Sequence, residues 1–313
     1  MKVVTLEEIR PVLDEIDLLP LIEEGFAQYS AGNAVVPPVG ELLLEGGDVH
    51  IKYGYIKGQP YYVIKIASGF YGNPALDLPG SQGMMLMFRQ ATGQPVCLLL
   101  DEGWLTEIRT AVAGAIVAKY LAPAEVVRIG IAGTGTQARL QLQYLAGITD
   151  CRQVTVWARG AAQFDAYCVH MRPLGFECTP AETPDDLLRE CNLVVTATPS
   201  TTPLLHADAL QAGTHITAMG SDTAQKQELD TGLLARADQV VADSISQCLE
   251  RGEIHHALKS GDVRKDQLIE LGTIINGERP GRASDEEITI ADLTGVAVQD
   301  IQIATAVWSA LNK

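Results

Sequence analysis

Hydrophobic and polar positions along the 313-residue chain change their rhythm near residue 123. Before that point, short alternating runs dominate. Gly40 to Leu44, Val49 to Ile56, Tyr61 to Ala67, Gly83 to Arg89 and Val96 to Leu100 all read as strands, parted by turn sequences such as Gly46-Gly47 and Gly58-Gln59-Pro60. Two helices precede them: a short one opened by the capping box Thr5-Leu6-Glu7-Glu8, and an amphipathic one over Asp17 to Tyr29, closed by Ala31-Gly32-Asn33. A long apolar helix, Leu105 to Leu121, ends at Ala122-Pro123, where a domain boundary is expected. Beyond it, apolar runs alternate with helical patterns. Strands are predicted at 127–132, 153–157, 192–197, 214–218 and 238–242, with a short extended piece near Glu177. Helices are predicted over Gly252 to Ser260 and Asp266 to Ile275, then a loop over Gly277 to Ser284, a strand over Glu287 to Ala291 and a final helix over Ala297 to Leu311.

The first strand of the second half breaks at Gly133-Thr134-Gly135-Thr136-Gln137-Ala138 and gives way at once to a helix. Gly133-x-Gly135-x-x-Ala138 fits the dinucleotide fingerprint with alanine in the third place. The first glycine makes the turn, the second lets backbone approach a pyrophosphate, and the third small residue lets helix pack on strand. The helix start then offers N–H groups and a positive dipole end to phosphates. A nicotinamide dinucleotide is therefore the expected cofactor. The second strand ends Trp157-Ala158-Arg159, without the carboxylate that usually binds the ribose 2′-hydroxyl of NAD; Arg159 favours NADP(H) over NAD(H).

Composition narrows the partners. With 23 Lys and Arg against 39 Asp and Glu, the net charge is −16, which disfavours nucleic acid and anionic membrane. Charges interrupt Met1 to Glu24, so neither a signal peptide nor a membrane span is expected there, and a cytoplasmic location follows. The six cysteines show no metal-ligand spacing and no disulfide framework, so no metal site is expected.

Three cations lie within or beside apolar runs: Lys52, Lys65 and Arg109. Each either finds an internal carboxylate, or they converge on an anionic ligand. Lys52 shares a strand face with His50, and Lys65 with Val63 and Ala67. Asp222 follows a strand's C-terminal end, where open α/β sheets bind ligands, and could transfer protons; an N-cap or Asx turn is the other reading. Asp292 carries the same ambiguity. His255-His256, adjacent on a helix, do not share a face and read as structural or solvated.

With these segments in order, the chain resembles the ornithine cyclodeaminase/mu-crystallin family over nearly its whole length. The resemblance rests on Val63-Ile64-Lys65, on Ile108-Arg109-Thr110-Ala111-Val112-Ala113-Gly114-Ala115 through Ala122, and on Gly133 to Ala138. It continues through Thr196-Ala197-Thr198-Pro199-Ser200, Gly220-Ser221-Asp222 with Lys226 to Asp230, and Asp292-Leu293-Thr294-Gly295 with Gln299-Asp300. It implies an α/β fold: a doubly wound Rossmann domain (123–292), and a smaller α+β substrate and dimerisation domain formed by the N-terminal segment and C-terminal helix (1–122 and 293–313). It also implies a homodimer. Lys65 and Arg109 would hold a substrate carboxylate, with Lys65 and Asp222 the catalytic pair. Thr110, Thr198, Ser200, Met219 and Ser221 would join Gly133 to Ala138 and Arg159 around the cofactor.

One departure stands out. Many family members carry an arginine in the strand after the Gly-Asp turn, where this chain reads Gly47-Asp48-Val49-His50-Ile51-Lys52. His50 takes its place and Lys52 replaces its charge, exchanging a bidentate fork for a point charge. Substrate identity stays open here, with His50 and Lys52 as further substrate contacts. The stretch Ser246 to His256 resembles the ectoine-utilisation branch. The expected activity is hydride transfer between nicotinamide and a small anionic α-imino or α-amino acid. A cyclodeaminase that releases ammonia with internally recycled cofactor is one rival, and a non-catalytic NADPH-dependent binding protein another.

Overall fold

The structure is a computed structural model that describes residues 1–70 and 72–312, the side chain of Pro74 excepted. In chain order its first part runs β1 (Lys2–Thr5), α1 (Leu6–Leu13), α2 (Leu18–Ser30), β2 (Ala34–Val35), β3 (Gly40–Leu44), β4 (Gly47–Ile56), β5 (Tyr61–Gly69), β6 (Ser81–Arg89), β7 (Pro95–Leu100) and α3 (Trp104–Leu121). Then follow β8 (Ile129–Ala132), α4 (Thr136–Leu145), β9 (Gln153–Trp157), α5 (Ala161–Met171), β10 (Glu177–Pro180), α6 (Asp186–Glu190), β11 (Leu193–Thr196) and β12 (His215–Ala218). The chain closes with α7 (Thr231–Arg236), β13 (Gln239–Ala242), α8 (Ile245–Cys248), α9 (Glu253–Ser260), β14 (Leu268–Glu270), α10 (Leu271–Ile275), β15 (Thr289–Asp292) and α11 (Ala297–Ala310). Two compact units result, Met1–Thr110 together with the chain from Val296 onward, and Ala111–Gly295.

The first unit is built on a seven-stranded sheet in the order β1-β7-β6-β5-β4-β2, with β3 also paired to β4. Apart from the parallel β1–β7 pair, its pairings are antiparallel. Helix α11 packs over β4 and β5 and against α2. It is buried from Ala297 to Ala304, because it serves as the core element of this unit. The capping box at the start of α1 forms as read: Glu8 Oε2 accepts the Thr5 N–H at 2.9 Å.

The second unit is an eight-stranded, all-parallel sheet in the order β10-β9-β8-β11-β12-β15-β13-β14. The strands β8, β11, β12, β13 and β15 are buried at every residue. Such strands must be apolar on both faces, which explains runs such as Leu193-Val194-Val195. Alternate residues feed two cores: Leu193 and Val195 join Leu142, Tyr167 and Phe176, whereas Val194 joins Leu187, Ile216 and Leu233. The strand order reverses at β8, whose neighbours are β9 and β11. That reversal opens a crevice at the strands' C-terminal ends.

Two parts of the sequence reading need correction. The helix expected over Asp266 to Ile275 is broken: a 3₁₀ turn over Lys265–Gln267 leads into the edge strand β14, and only Leu271–Ile275 is helical. Leu268–Glu270 pairs in parallel with Val240–Ala242, a long-range partnership that outweighs helical periodicity over three residues. The two-residue β2 was not expected, and neither was strand β1. Its pairing with Cys97–Leu100 lies far along the chain, and four residues with one buried position carry little local signal.

Candidate active site

In the first unit, β4 and β5 carry a buried row of charge. Asp48, His50, Lys52, Gly54 and Ile56 share the buried face of β4. Lys52 stands directly opposite Lys65 of β5; they are 5 % and 2 % exposed. Like charges facing one another across a strand pair repel, and burial strengthens that repulsion. His50 Nε2 lies 3.1 Å from Glu41 Oε1 on the neighbouring β3, so this departure from the family pattern is engaged by a strand partner.

Arg109, on the first turns of α3, resolves part of the question left open by the sequence. Its Nε lies 3.1 Å from Asp300 Oδ1, and Nη1 donates to Gln299 Oε1 at 2.5 Å, which leaves Nη2 outside both contacts. Arginine and aspartate side chains are 5 % and 1 % exposed. The internal carboxylate thus exists, and the guanidinium's fork retains a donor for a ligand.

Asp101 connects these groups. Its Oδ2 accepts the Leu105 N–H at 2.8 Å, fastening the start of α3, while the charges of Lys65 and Asp300 act on the same carboxyl. Burial pushes its pKa up to about 6, against the lowering effect of the Leu105 hydrogen bond and of Lys65. A carboxyl that titrates higher in the folded than in the unfolded chain binds more protons when folded. Its contribution is complete below about pH 4 and is lost as pH climbs to about 6, a change of about 3 kcal/mol. Asp101→Asn should therefore flatten the pH dependence of stability in that window. Urea denaturation of both proteins at the two ends of the window measures the difference, and parallel profiles would refute the assignment.

The second unit gathers the expected cofactor residues at the C-terminal ends of its strands. Gly133 takes φ +110°, a backbone that side chains rarely adopt, and a Cβ there would lie 2.9 Å from the Ala197 carbonyl oxygen. Gly135 caps α4 with no side-chain bond, and a Cβ there would meet nothing within 4 Å. The turn thus presents open backbone at the β8–β11 crevice, which fits a pyrophosphate. Thr136 is exposed, Gln137 half-buried, and Ala138 buried beneath, its carbonyl accepting the Tyr167 hydroxyl at 3.0 Å. Arg159 is exposed just past the end of β9. Thr198 and Ser200 follow β11, while Met219 and Ser221 follow β12. Thr110 sits half-buried on α3, in the first unit.

Asp222 is held by Lys226, whose Nζ donates to its Oδ1 at 2.6 Å, and it caps no helix, the next one beginning at Thr231. Asp292, the other ambiguous carboxylate, is structural: its Oδ2 accepts the Ile254 N–H at 2.8 Å inside the start of α9. Burial drives its pKa well above the usual carboxylate range. His255 and His256 contact the carbonyls of Leu249 and Lys226 at 2.8 and 3.0 Å, consistent with structural residues.

The sequence reading assigned no role to Glu228. This fully buried carboxylate takes four donors: the Thr198 N–H and hydroxyl at 2.7 Å each on Oε1, and the Thr196 hydroxyl and Gly220 N–H at 2.8 Å each on Oε2. It ties the ends of β11 and β12 together. Burial raises its pKa, opposed by those four hydrogen bonds. Glu253 repeats the device one layer away, accepting the N–H groups of Glu228 and Leu229 at 2.8 and 3.1 Å. Glu228 stands in the largely polar stretch Lys226-Gln227-Glu228-Leu229-Asp230, so no local signal separates it from a surface glutamate. Among the described residues no group of three potential metal ligands occurs, and no helix is long and apolar enough to cross a membrane.

Comparison with known proteins places this arrangement. The family model for the ornithine cyclodeaminase/mu-crystallin family matches residues 2–313. A Sinorhizobium fredii protein described as an uncharacterized cyclodeaminase is 41 % identical, covering 97 % of this chain and 94 % of its own. An archaeal alanine dehydrogenase dimer with bound NAD superposes with TM-score 0.91 at 32 % identity, covering 99 % of this chain and 95 % of that one. The iminosuccinate reductase of Paracoccus denitrificans, in complex with NAD+, superposes with TM-score 0.90 at 32 % identity, covering 100 % and 96 %. The chain belongs to the ornithine cyclodeaminase/mu-crystallin family.

Proposed function

We propose that the protein is an NAD(P)-dependent oxidoreductase that moves a hydride between a nicotinamide and an α-imino or α-amino acid. The observation that carries this reading is the buried, directly opposed pair Lys52 and Lys65 in a chain of net charge −16. Two facing ammonium groups gain when a carboxylate comes between them. The names of the relatives support it, since they include an alanine dehydrogenase and an iminosuccinate reductase, both acting on small carboxylated amines or imines.

In this reading residues 123–292 bind the dinucleotide, and 1–122 with 293–313 bind substrate and dimerise. When bound, the nicotinamide supplies a hydride donor or acceptor at its C4 position. Lys65 and the remaining donor of Arg109 fix the substrate carboxylate and so place its α-carbon; such positioning accounts for much of the rate. Lys52, with His50 beside it, suits the second carboxylate of a dicarboxylate. Gly133 to Ala138 hold the pyrophosphate, while Thr110, Thr198, Ser200, Met219 and Ser221 shape the nicotinamide end. Asp222 takes a proton from, or returns it to, the substrate nitrogen or water.

The test follows nicotinamide absorbance, with NADPH and NADH, against α-keto acids plus ammonia or methylamine, including oxaloacetate, pyruvate and cyclic imines. Cofactor oxidation supports the reading and names the substrate class. The name of the Sinorhizobium fredii relative favours a cyclodeaminase as second reading. That enzyme would release ammonia from ornithine, lysine or diaminobutyrate with no absorbance change. Binding without turnover across both panels would indicate a binding protein.

Arg159 supports NADP(H), since its exposed guanidinium stands where NAD enzymes place a carboxylate. Arg159→Ala should raise KM for NADPH on the order of tenfold while leaving NADH unaffected, the loss of one charge-assisted contact. An equal effect on both cofactors would refute the assignment.

The homodimer is supported by the outer face of the first unit's sheet. There Ile51 and Tyr53 lie opposite Ile66 and Ile64, Leu86 and Met84 continue the row, and Tyr62 stacks on Phe88 at 4.9 Å. Such a half-exposed apolar face suits an isologous contact. Light scattering on the eluting protein should give twice the chain mass. All six cysteines are free, which suits a reducing cytoplasm.

A further inference from the structure

Lys226 sits in an unusual setting for a lysine. Its side chain is 8 % exposed, against 33 % for its partner Asp222. Its backbone is fastened from several sides. Ser221 Oγ donates to its carbonyl at 2.5 Å, His256 Nε2 lies 3.0 Å from the same oxygen, and its N–H donates to Thr223 Oγ1 at 3.3 Å. An exposed lysine–aspartate pair four residues apart is worth little, because two flexible side chains must be ordered in high dielectric. Here the lysine is buried on a fixed backbone, so the fold itself imposes the 2.6 Å contact.

The surroundings reinforce it. Arg251 Nη1 donates to the Asp222 carbonyl at 3.2 Å, bringing a second cation to the turn. His256, beside Lys226, is kept neutral at pH 7 by burial, which lowers its pKa. Glu228, two residues on, spends its carboxylate on Thr196, Thr198 and Gly220. Lys226 and Arg251 thus bring two cations to the Asp222 turn.

We propose that Lys226 is a positioning residue for Asp222, its ammonium holding the carboxylate ionised and in one orientation at the end of β12. This rests on Asp222 as the acid/base of the proposed reaction. An ionised Asp222 is a proton acceptor, ready to take a proton from a substrate ammonium before hydride leaves the α-carbon. In the reducing direction the substrate then enters as an iminium that carries its own proton. Hydride adds to the iminium carbon to give a neutral amine, which takes back the proton held by Asp222 and leaves the carboxylate ionised.

The experiment is a carboxyl ¹³C titration of the wild type, Asp222→Asn, Lys226→Met and Lys226→Arg, with Lys226→Gln as a second neutral variant should methionine prevent folding. The resonance missing from Asp222→Asn identifies Asp222. Loss of the ammonium should raise its midpoint by about one pH unit or more, and arginine should keep it near the wild-type value. The acidic limb of kcat/KM for amine oxidation should move by the same amount and in the same order, with cofactor affinity unchanged. An unmoved midpoint in the neutral variants overturns the role of Lys226, as does an equal loss of kcat in the arginine and methionine variants with the acidic limb in place. Full turnover in Asp222→Asn overturns instead the acid/base reading beneath it, and is distinguishable because the titration does not depend on catalysis.

Discussion

An Asp222→Asn enzyme should bind its dinucleotide as the wild type does and turn over about 10²- to 10⁴-fold more slowly, the usual contribution of a positioned acid/base. The substitution is nearly isosteric. Its amide oxygen can still accept from Lys226 Nζ, so the turn after β12 keeps its shape. What disappears is the capacity to accept a proton at neutral pH. The turn at Gly133 and Gly135 follows β8, a different strand from the β12 that precedes Asp222. Fluorescence titration of cofactor and steady-state rates on one preparation separate the two effects. Unchanged turnover would remove Asp222 from the mechanism, and a parallel loss of cofactor affinity would make it a structural residue of the crevice.

Glu228→Gln should destabilise the second unit by about 1–3 kcal/mol through the unsatisfied backbone group it creates. Hydroxyl partners could adapt, because Thr196 and Thr198 can rotate from donor to acceptor. The backbone cannot. Oε1 accepts the Thr198 N–H and Oε2 the Gly220 N–H, so each oxygen faces one obligatory donor. Whichever way a glutamine amide is turned, its NH₂ must confront one of them. Glu228→Ala should cost more, since it abandons all four donors inside a buried space. Chemical denaturation gives the stability loss, and cofactor affinity should fall with it because the loops after β11 and β12 lose their common anchor. A stable Glu228→Gln protein with native cofactor binding would show that the carboxylate is already protonated and donating, contrary to this hydrogen-bond pattern.

Strands β3 to β7 of the first unit were legible almost to the residue: β3 runs Gly40–Leu44 as read, and β4 and β5 extend only two residues beyond their predicted ends. Alternation is visible there because one face is buried and the other is not. The parallel strands were legible for a different reason, being short apolar runs between helical patterns. Strands β1, β2 and β14 escaped because their evidence lies in partners, Cys97–Leu100, Tyr55–Ile56 and Val240–Ala242, that local periodicity cannot see.

The site divides the same way. Amino-acid identity alone put a tight glycine turn at Gly133 and Gly135 and marked Lys52, Lys65 and Arg109 as cations too deep in apolar sequence to be ordinary. Those inferences rest on local properties: the φ freedom of glycine and the cost of burying charge. Only the tertiary structure could decide which partners meet them. Long-range folding brings Asp300 and Gln299 from α11 onto Arg109 on α3, sets Lys52 opposite Lys65, and buries Glu228 under two strand ends. Sequence determines which groups carry charge and where the backbone can turn. The fold determines how far apart those groups stand and in what dielectric, and on those two quantities their energies and proton affinities depend.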